Sequence, residues 1–492
     1  MNRLKSIVQL SSSLLFILSV LLLIPLLVAW IYKEPILVYK SFIYVSAFSF
    51  TLAFIFRRLT YAYKVHIDLT TAMILCTVSW VLVSAIGALP FMIGLDKSFI
   101  DAMFEAVSGF TTTGITVFEQ LDDMSHALIF WRSFIQWLGG LGILTFFLFV
   151  TTKSEGDSWQ LFSAEGHKIN AARPVPNVYR TIKYFWAIYS VYTLLEILML
   201  WGLGLSFFDA LSHSMTTLST GGYSNHDASI AYYQLNGYKN YKLIEYTVIL
   251  FMFLGGINFL VHYRMIKEDH LFIFKDIEAK VFMKIIVGFS GLTLIGIIAS
   301  RGLPLGQLEE SIRKTLFQIV SVTTTTGFGT EDIGSVFFPA ITKQLFIILM
   351  IIGGCVGSTS GGIKILRVII LEKLLRREVH KLSLPNNAVI PTTINHVIIG
   401  YEELQRITAI VFGWILLIGI GAGITALFSD LGPFEAFSGM ASAVGNIGPF
   451  YFSVSKMVSL SWVIKLTYII GMLAGRLELL PIYIIISKKA WK

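Results

Sequence analysis

Four short turns carry the residue types suited to holding a bare cation: Thr112-Thr113-Gly114-Ile115, Thr220-Gly221-Gly222-Tyr223, Thr325-Thr326-Gly327-Phe328 and Asn446-Ile447-Gly448-Pro449. What they offer is oxygen. Main-chain carbonyls turned inward can replace the hydration shell of a monovalent ion, glycine reaches the backbone conformations that aim them, and threonine adds hydroxyls alongside. A single Thr-Gly turn reads as an ordinary loop or helix cap; four in register do not. The glycines recur at intervals of 108, 105 and 121 residues. Upstream, Asp101-Ala102-Met103-Phe104-Glu105 lies over Asp209-Ala210-Leu211-Ser212-His213 and Glu435-Ala436-Phe437-Ser438-Gly439, with the third copy, from Lys314-Thr315, more diverged. Downstream, each copy reaches a small-residue notch, Gly139-Gly140, Gly255-Gly256, Gly353-Gly354 or Ala474-Gly475, after 26, 34, 27 and 27 residues. Such notches suit close packing of helices.

The elements that must position these turns follow from composition. Of 492 residues, 55% are hydrophobic and only 14% charged, against roughly 25% charged in an average soluble domain. Apolar surface on that scale would aggregate in water, so the main solvent is lipid. Soluble enzymes, disordered chains, collagens and small disulfide scaffolds are excluded. Cys76 and Cys355 lie in apolar stretches without metal-ligand spacing and read as buried thiols. Apolar runs near 6–31, 38–56, 69–93, 127–150, 184–205, 243–262, 285–300, 342–370, 407–428 and 458–486 predict ten spans, most near the ~20 residues a crossing needs. The first run carries Pro25 and Trp30 and no small-residue cleavage pattern, so it reads as a mature helix rather than a signal peptide. With both termini inside, Lys and Arg favour the inner side by about two to one. They include Arg57, Arg58, Lys64, the stretches 153–183, 264–284 and 367–381, and Lys488, Lys489 and Lys492.

Four external segments, 98–116, 206–224, 310–330 and 433–450, are too short to span and too apolar for a soluble loop. The repeat is therefore helix, short re-entrant helix, glycine turn, helix. Because each copy makes an even number of crossings, all four turns reach the same outer side and can surround one axis. Non-helical backbone at membrane depth survives only inside protein or along a watery path, and a ring of it is a pore. The predicted fold is an all-α polytopic membrane protein. A two-helix unit over 1–64 precedes pore repeats over 65–165, 166–275, 276–385 and 386–492 in pseudo-fourfold array.

Below the turns, Gly353-Gly354-Cys355-Val356-Gly357-Ser358-Thr359-Ser360-Gly361-Gly362-Ile363-Lys364 interrupts the second helix of the third repeat. Each glycine costs a helix roughly 1 kcal/mol relative to alanine, so this stretch unwinds, either across the ion path or as a kink in a packing helix. Arg476, one residue after the fourth notch, is expensive to bury unless it meets water or a partner. It either raises a barrier to cations below the turns or bonds Glu478 or the free carbonyls of the broken helix, and both roles can hold together. Outer acids Asp101, Glu105, Asp209, Asp227, Glu331, Asp332 and Glu435 would concentrate cations at the mouth, although Asp101, Asp209 and Glu435 also stand where helix caps belong. His213 and His226 lack the repeated carboxylate or Cys partners of a metal site.

With the segments Ser108-Gly109-Phe110-Thr111-Thr112-Thr113-Gly114, Gly221 to Ile230, Thr323 to Gly329 and Gly445 to Pro449, the whole chain resembles the bacterial Trk-type potassium-uptake family, in a superfamily with Ktr and plant high-affinity potassium transporters. The resemblance implies potassium uptake through a selectivity filter with one turn per repeat. Coordination would come mainly from carbonyls of Thr112, Thr113, Thr220, Gly221, Thr325, Thr326, Asn446 and Ile447, each pair followed by its glycine, Gly114, Gly222, Gly327 or Gly448. Glycine rather than serine at 114 favours potassium over sodium. It further implies that Gly353, Gly354, Gly357, Ser358, Thr359, Ser360, Gly361, Gly362 and Lys364 belong to an intramembrane loop obstructing the closed pore, with Arg476 facing the ion path. A homodimer in the bacterial inner membrane is also implied, with one pore per protomer and a separate cytosolic TrkA-type RCK ring that binds NAD or ATP. No cofactor is implied on this chain.

Cytosolic segments 151–183, 263–284 and 371–406 are too small for a nucleotide domain, so regulation must arrive on another chain. Their basic character suits an acidic partner, anionic lipid or plain solvated positive-inside charge. A Ktr-type sodium-dependent channel is the nearest competing reading, against which the two extra N-terminal spans weigh. A secondary transporter with inverted repeats would need antiparallel halves, whereas these repeats run in one sense. An enzyme has no support from an HExxH, a Walker loop or a recurring acid–base pair.

Overall fold

Among the described residues of the computed structural model, six helical stretches are long and apolar enough to cross a membrane: Arg3–Ile31, which has a turn at residues 22–23, Ile36–Thr60, Leu69–Leu95, Arg180–Gly202, Ile277–Ser300 and Tyr401–Leu427. The structure describes residues 2–61, 63, 68–142, 145, 178–302, 305–385, 390–394 and 397–491. Outside them lie the basic segment expected at 151–183 as far as residue 177, Lys64, Lys492, and nearly all of the run 127–150 beyond residue 142. Cys76 and Cys355 are buried free thiols, as read.

Each repeat opens on an outer helix, Leu69–Leu95, Val178–Gly202, Ile277–Arg301 or Tyr401–Leu427. A re-entrant helix follows: Phe99–Phe110, Phe207–Leu218, Leu308–Thr323 or Pro433–Gly445. The inner helices are His126–Gly140, Tyr241–Gly255, Ala340–Ile352 and Trp462–Arg476. They have 15, 15, 13 and 15 residues. At 1.5 Å per residue they reach only about 20–23 Å, short of a ~30 Å hydrocarbon core.

Here the structure corrects the sequence reading, which interrupts only the third inner helix. All four stop at their notches. The second resumes as Phe259–Lys267 at 96° and the fourth as Leu480–Ile486 at 120°. The third passes through 353–364 before Ile365–Lys381, and the first leaves the described residues soon after its end. The physical reason is a neighbour's backbone. A Cβ on Gly139, Gly255 or Gly475 would press into the main-chain oxygen of Phe110, Leu218 or Val444, the residue four before the turn glycine in each case. These three notches are thus close-packing sites where the inner helices end against the ends of the re-entrant helices, whereas Gly353 and Gly354 pack on their own loop at residues 360–362.

Packing closes the array. Every re-entrant helix lies against the outer and inner helices of its own repeat and the inner helix of the repeat before: Phe207–Leu218 on His126–Gly140, Leu308–Thr323 on Tyr241–Gly255, Pro433–Gly445 on Ala340–Ile352, and Phe99–Phe110 back on Trp462–Arg476. The two N-terminal helices pack on Leu69–Leu95, whose most apolar window is 72% buried against 22% for Ile277–Ser300. Of the four outer helices, the first is therefore the most covered by its own chain. A short antiparallel ribbon, Thr393–Ile394 with Val397–Ile398, lies in the connection between the third and fourth repeats.

Candidate functional site

The re-entrant helices begin and end by repeated local rules. Ser98 and Ser206 cap the first two, each hydroxyl oxygen accepting the N–H of Asp101 at 3.1 Å or Asp209 at 3.0 Å. In the fourth, the N–H of Gly432 donates to Glu435 Oε2 at 2.9 Å. Asp101 and Asp209 are therefore not the caps themselves. They occupy the third helical position, accept the capping hydroxyl, and sit at the positive end of the helix. The third helix starts about a turn earlier, without a side-chain cap.

At the other end, Thr112, Thr220, Thr325 and Asn446 are left-handed, with φ of 55°, 51°, 57° and 54°. Two residues later, Gly114, Gly222, Gly327 and Gly448 have φ of 78°, 71°, 89° and 113°. A left-handed threonine costs about 1–2 kcal/mol, strain that persists only where the surroundings enforce it. The enforcement is also repeated. The N–H groups of Thr113, Gly221, Thr326 and Ile447 donate to the carbonyls of Ser108, Thr216, Ser321 and Ser442 at 2.8, 2.9, 2.9 and 3.0 Å.

The turns meet in a closed ring. A Cβ on Gly114 would overlap the carbonyl oxygen of Gly221, one on Gly222 that of Thr326, and one on Gly327 that of Ile447; one on Gly448 would stand 3.2 Å from that of Thr113. Side chains brace the seams. Gln136 donates through Nε2 to the Gly221 carbonyl at 2.7 Å and accepts the Tyr223 N–H at 3.0 Å. Asn446 Nδ2 donates to Thr113 Oγ1 at 2.9 Å. The hydroxyls of Thr113 and Thr326 pair with those of Thr111 and Thr324 at 2.7 and 2.8 Å. Behind Tyr223 lies a fully buried pair, Glu105 with Arg132 at 2.8 Å, and the guanidinium stacks 4.1 Å from the Tyr223 ring. Gln136 and Arg132 were not singled out from sequence. The available signal was polar side chains within the apolar run 127–150.

On the outer side of the ring, a vestibule of about 190 Å³ is lined by all four turn glycines. Of the seven outer acids only Asp227 lines it. The others are engaged structurally: Asp101 with Lys465 at 2.6 Å, Glu331 with Lys314 at 3.1 Å, Asp209 with Asn225 at 2.8 Å, and Asp332 with the Gly334 N–H at 2.7 Å, besides Glu105 and Glu435 above. Six of the seven outer acids thus brace the structure rather than line the vestibule. Another brace, His226, stands between Asp122 at 2.5 Å and Asp209 at 3.6 Å, tying the first two repeats together. Burial pulls the His226 pKa down, but its hydrogen bonds to Asp209 and Asp122 and their charges outweigh burial and raise it.

On the inner side, the segment Gly353 to Lys364 does leave the helix, with Gly353, Gly357 and Gly362 at φ of 72°, 72° and 77°. Its Gly361 N–H donates to Thr325 Oγ1 at 2.7 Å, and Thr359 Oγ1 donates to the carbonyls of Leu218 and Gly255 at 2.9 and 3.0 Å. Lys364 turns its ammonium back onto the Ser360 carbonyl, while a Cβ on Gly354 would meet the Ser360 side chain. Arg476 bridges ring and loop. It donates to the carbonyls of Gly139 and Gly140 at 2.5 and 2.6 Å, to that of Thr359 at 2.9 Å, and to Thr112 Oγ1 at 3.3 Å. Two of its carbonyl partners end the first inner helix and the third lies in the interrupted stretch of the third. Glu478, the alternative partner, pairs instead with Arg367. Between loop, Arg476 and Trp80 only about 50 Å³ remains open.

The family described as cation transport protein, TrkH, matches residues 37–491. An uncharacterized cation transporter of Methanocaldococcus jannaschii is 31% identical over 99% of this chain and 96% of its own. The Trk system potassium uptake protein TrkH of Salmonella typhimurium is 32% identical over 84% of each chain. The crystal structure of the potassium transporter TrkH from Vibrio parahaemolyticus superposes with a TM-score of 0.85 at 27% identity, covering 99% of this chain and 100% of that one. With a match over more than nine-tenths of its length and relatives of this kind, the chain belongs to the TrkH family of cation transport proteins.

Proposed function

We propose that this chain is the ion-conducting subunit of a potassium-uptake system. Its four turns form the selectivity filter, with Thr112, Thr113, Gly114, Thr220, Gly221, Gly222, Thr325, Thr326, Gly327, Asn446, Ile447 and Gly448 lining the ion sites. The observation that carries this reading is the closed ring itself: four turns of like backbone conformation, between a vestibule outside and a cavity inside. Each re-entrant helix directs its C-terminal end toward the ring. Each end carries about half a negative charge, so four together stabilise a dehydrated cation. The names of the bacterial relatives support potassium as that ion.

Flux is passive and controlled from the inner side. Residues 353–364 and Arg476 form the gate: the loop occupies the exit beneath Thr325, and the guanidinium opposes a cation beneath Thr112. The protein resides in the inner membrane with both termini cytoplasmic, works as a homodimer with one pore per protomer, and is opened by a nucleotide-binding ring on a separate chain. No cofactor serves on this chain itself. The test is rubidium and sodium flux into vesicles containing the purified protein, with growth at low potassium of bacteria stripped of their own uptake systems. Rubidium flux that requires the protein and exceeds sodium flux is expected. Equal fluxes, or none with or without a cytosolic partner, would overturn the reading, and a rubidium flux that demands sodium would favour a Ktr-type channel.

A further inference from the structure

One carboxylate touches both feet of the loop beneath the ring. Glu278, near the start of the outer helix Ile277–Arg301, accepts the main-chain N–H of Val356 at 2.7 Å and that of Leu366 at 3.1 Å, both on Oε1. It is 5% exposed. The two donors belong to the descending and ascending arms. Around them the arms are also bonded to one another: Lys364 N–H to the Ile352 carbonyl at 2.9 Å, Ile363 N–H to Ile351 at 3.1 Å and Ile365 N–H to Gly354 at 3.0 Å. A further pair joins the descending arm to the break in the second inner helix, Cys355 N–H to the Gly256 carbonyl at 3.1 Å and Phe259 N–H to the Gly357 carbonyl at 3.0 Å.

The crown is held differently. Between Gly357 and Gly362, both left-handed, its ties run to the ring through Gly361, to Arg476 through the Thr359 carbonyl, to the Leu218 and Gly255 carbonyls through Thr359 Oγ1, and to Lys364 through the Ser360 carbonyl. Those to the ring and to Arg476 are contacts to parts that must separate if an ion is to pass. The Glu278 contacts are not.

We propose that Glu278 is a positioning residue for the gate: it staples both feet of the 353–364 loop to the third outer helix, so that the crown swings between Gly357 and Gly362 while the base stays closed. The inference rests on the reading of that loop as the gate. A side-chain oxygen suits the task, because it accepts from two buried N–H groups in a place where water cannot substitute. Without it, two buried donors lose their partner and the feet open more often.

Cys355, buried beside Val356, reports that opening. In full-length protein carrying Cys76→Ala, the rate of Cys355 alkylation by N-ethylmaleimide and the rubidium leak without any partner are measured together. Glu278→Ala is expected to raise both by about tenfold, as a base that opens locally more often would. Glu278→Gln, which keeps the accepting oxygen, is expected to bring both back toward wild type. If Glu278→Ala does not accumulate, Glu278→Asp, one methylene shorter, carries the same comparison. Unchanged Cys355 labelling at unchanged melting temperature overturns the staple, and so does Gln behaving like Ala. Faster labelling with no change in leak leaves the staple standing and overturns the loop as gate.

Discussion

Replacing Gly114 with serine strikes the ring at one seam. Gly114 has φ of 78°, and a Cβ there would run into the carbonyl oxygen of Gly221. Two penalties combine. The left-handed backbone costs a non-glycine residue about 1–2 kcal/mol. The oxygen must also retreat by roughly an ångström to regain ordinary contact, yet Gln136 holds it at 2.7 Å, so the second turn shifts as a unit. A dehydrated potassium ion needs its full set of carbonyls, whereas sodium in a distorted site can retain water. If the distortion removes about 1.4 kcal/mol of preference, the potassium-to-sodium ratio falls about tenfold. Gly448→Ser is the internal control. It bears the same kind of backbone penalty, but its Cβ would stand 3.2 Å from the Thr113 oxygen, the loosest of the four seams. Its fall should therefore be about threefold or less. Rubidium and sodium fluxes in vesicles, at matched protein content, give both ratios. An unchanged ratio for Gly114→Ser, or a greater fall for Gly448→Ser, would refute the seam as the determinant.

Arg476→Ala should raise basal rubidium flux by about tenfold, a barrier change of about 1.4 kcal/mol, and lower the melting temperature, because the Gly139, Gly140 and Thr359 carbonyls lose the guanidinium's hydrogen bonds; flux that falls while expression holds would sink the gate role. Glu105→Ala leaves Arg132 buried without its carboxylate and should cost about 3–5 kcal/mol of stability, read by thermal unfolding in detergent. Gln136→Leu frees the Gly221 carbonyl and the Tyr223 N–H, and should lower selectivity more than stability, read by flux ratio against melting temperature. For His226 the sign follows from its raised pKa: the brace to Asp122 and Asp209 is fully present below the ordinary imidazole value of 6.5 and is lost as pH rises through the higher folded value. Amide protection in the loops around Asp122 and His226, after correction for the intrinsic pH dependence of exchange, should therefore fall at alkaline pH, and His226→Gln should remove that extra fall.

Much of this molecule is written locally. Run length and composition place the outer helices in lipid, because a crossing must satisfy its own backbone bonds. The turns are legible too, since a threonine or asparagine two residues before a glycine marks the end of each re-entrant helix in all four copies. What local rules could not supply is anything that depends on a neighbour. The Gly139 and Gly255 notches hold too few glycines to unwind a helix by propensity alone; they end helices because a main-chain oxygen from a re-entrant helix occupies the space a side chain would need. Arg476 could be read as costly to bury, but not as the donor to the first repeat's freed carbonyls, which lie more than 300 residues away in sequence. Asp101 and Asp209 announced helix starts, while the serine before each does the capping. Sequence alone determined the repeated unit, because helix, turn and lipid preferences act over a few residues. Only the tertiary structure decided that the four units close on one another in order, because the oxygens that meet at each seam come from different repeats and no short-range preference brings them together.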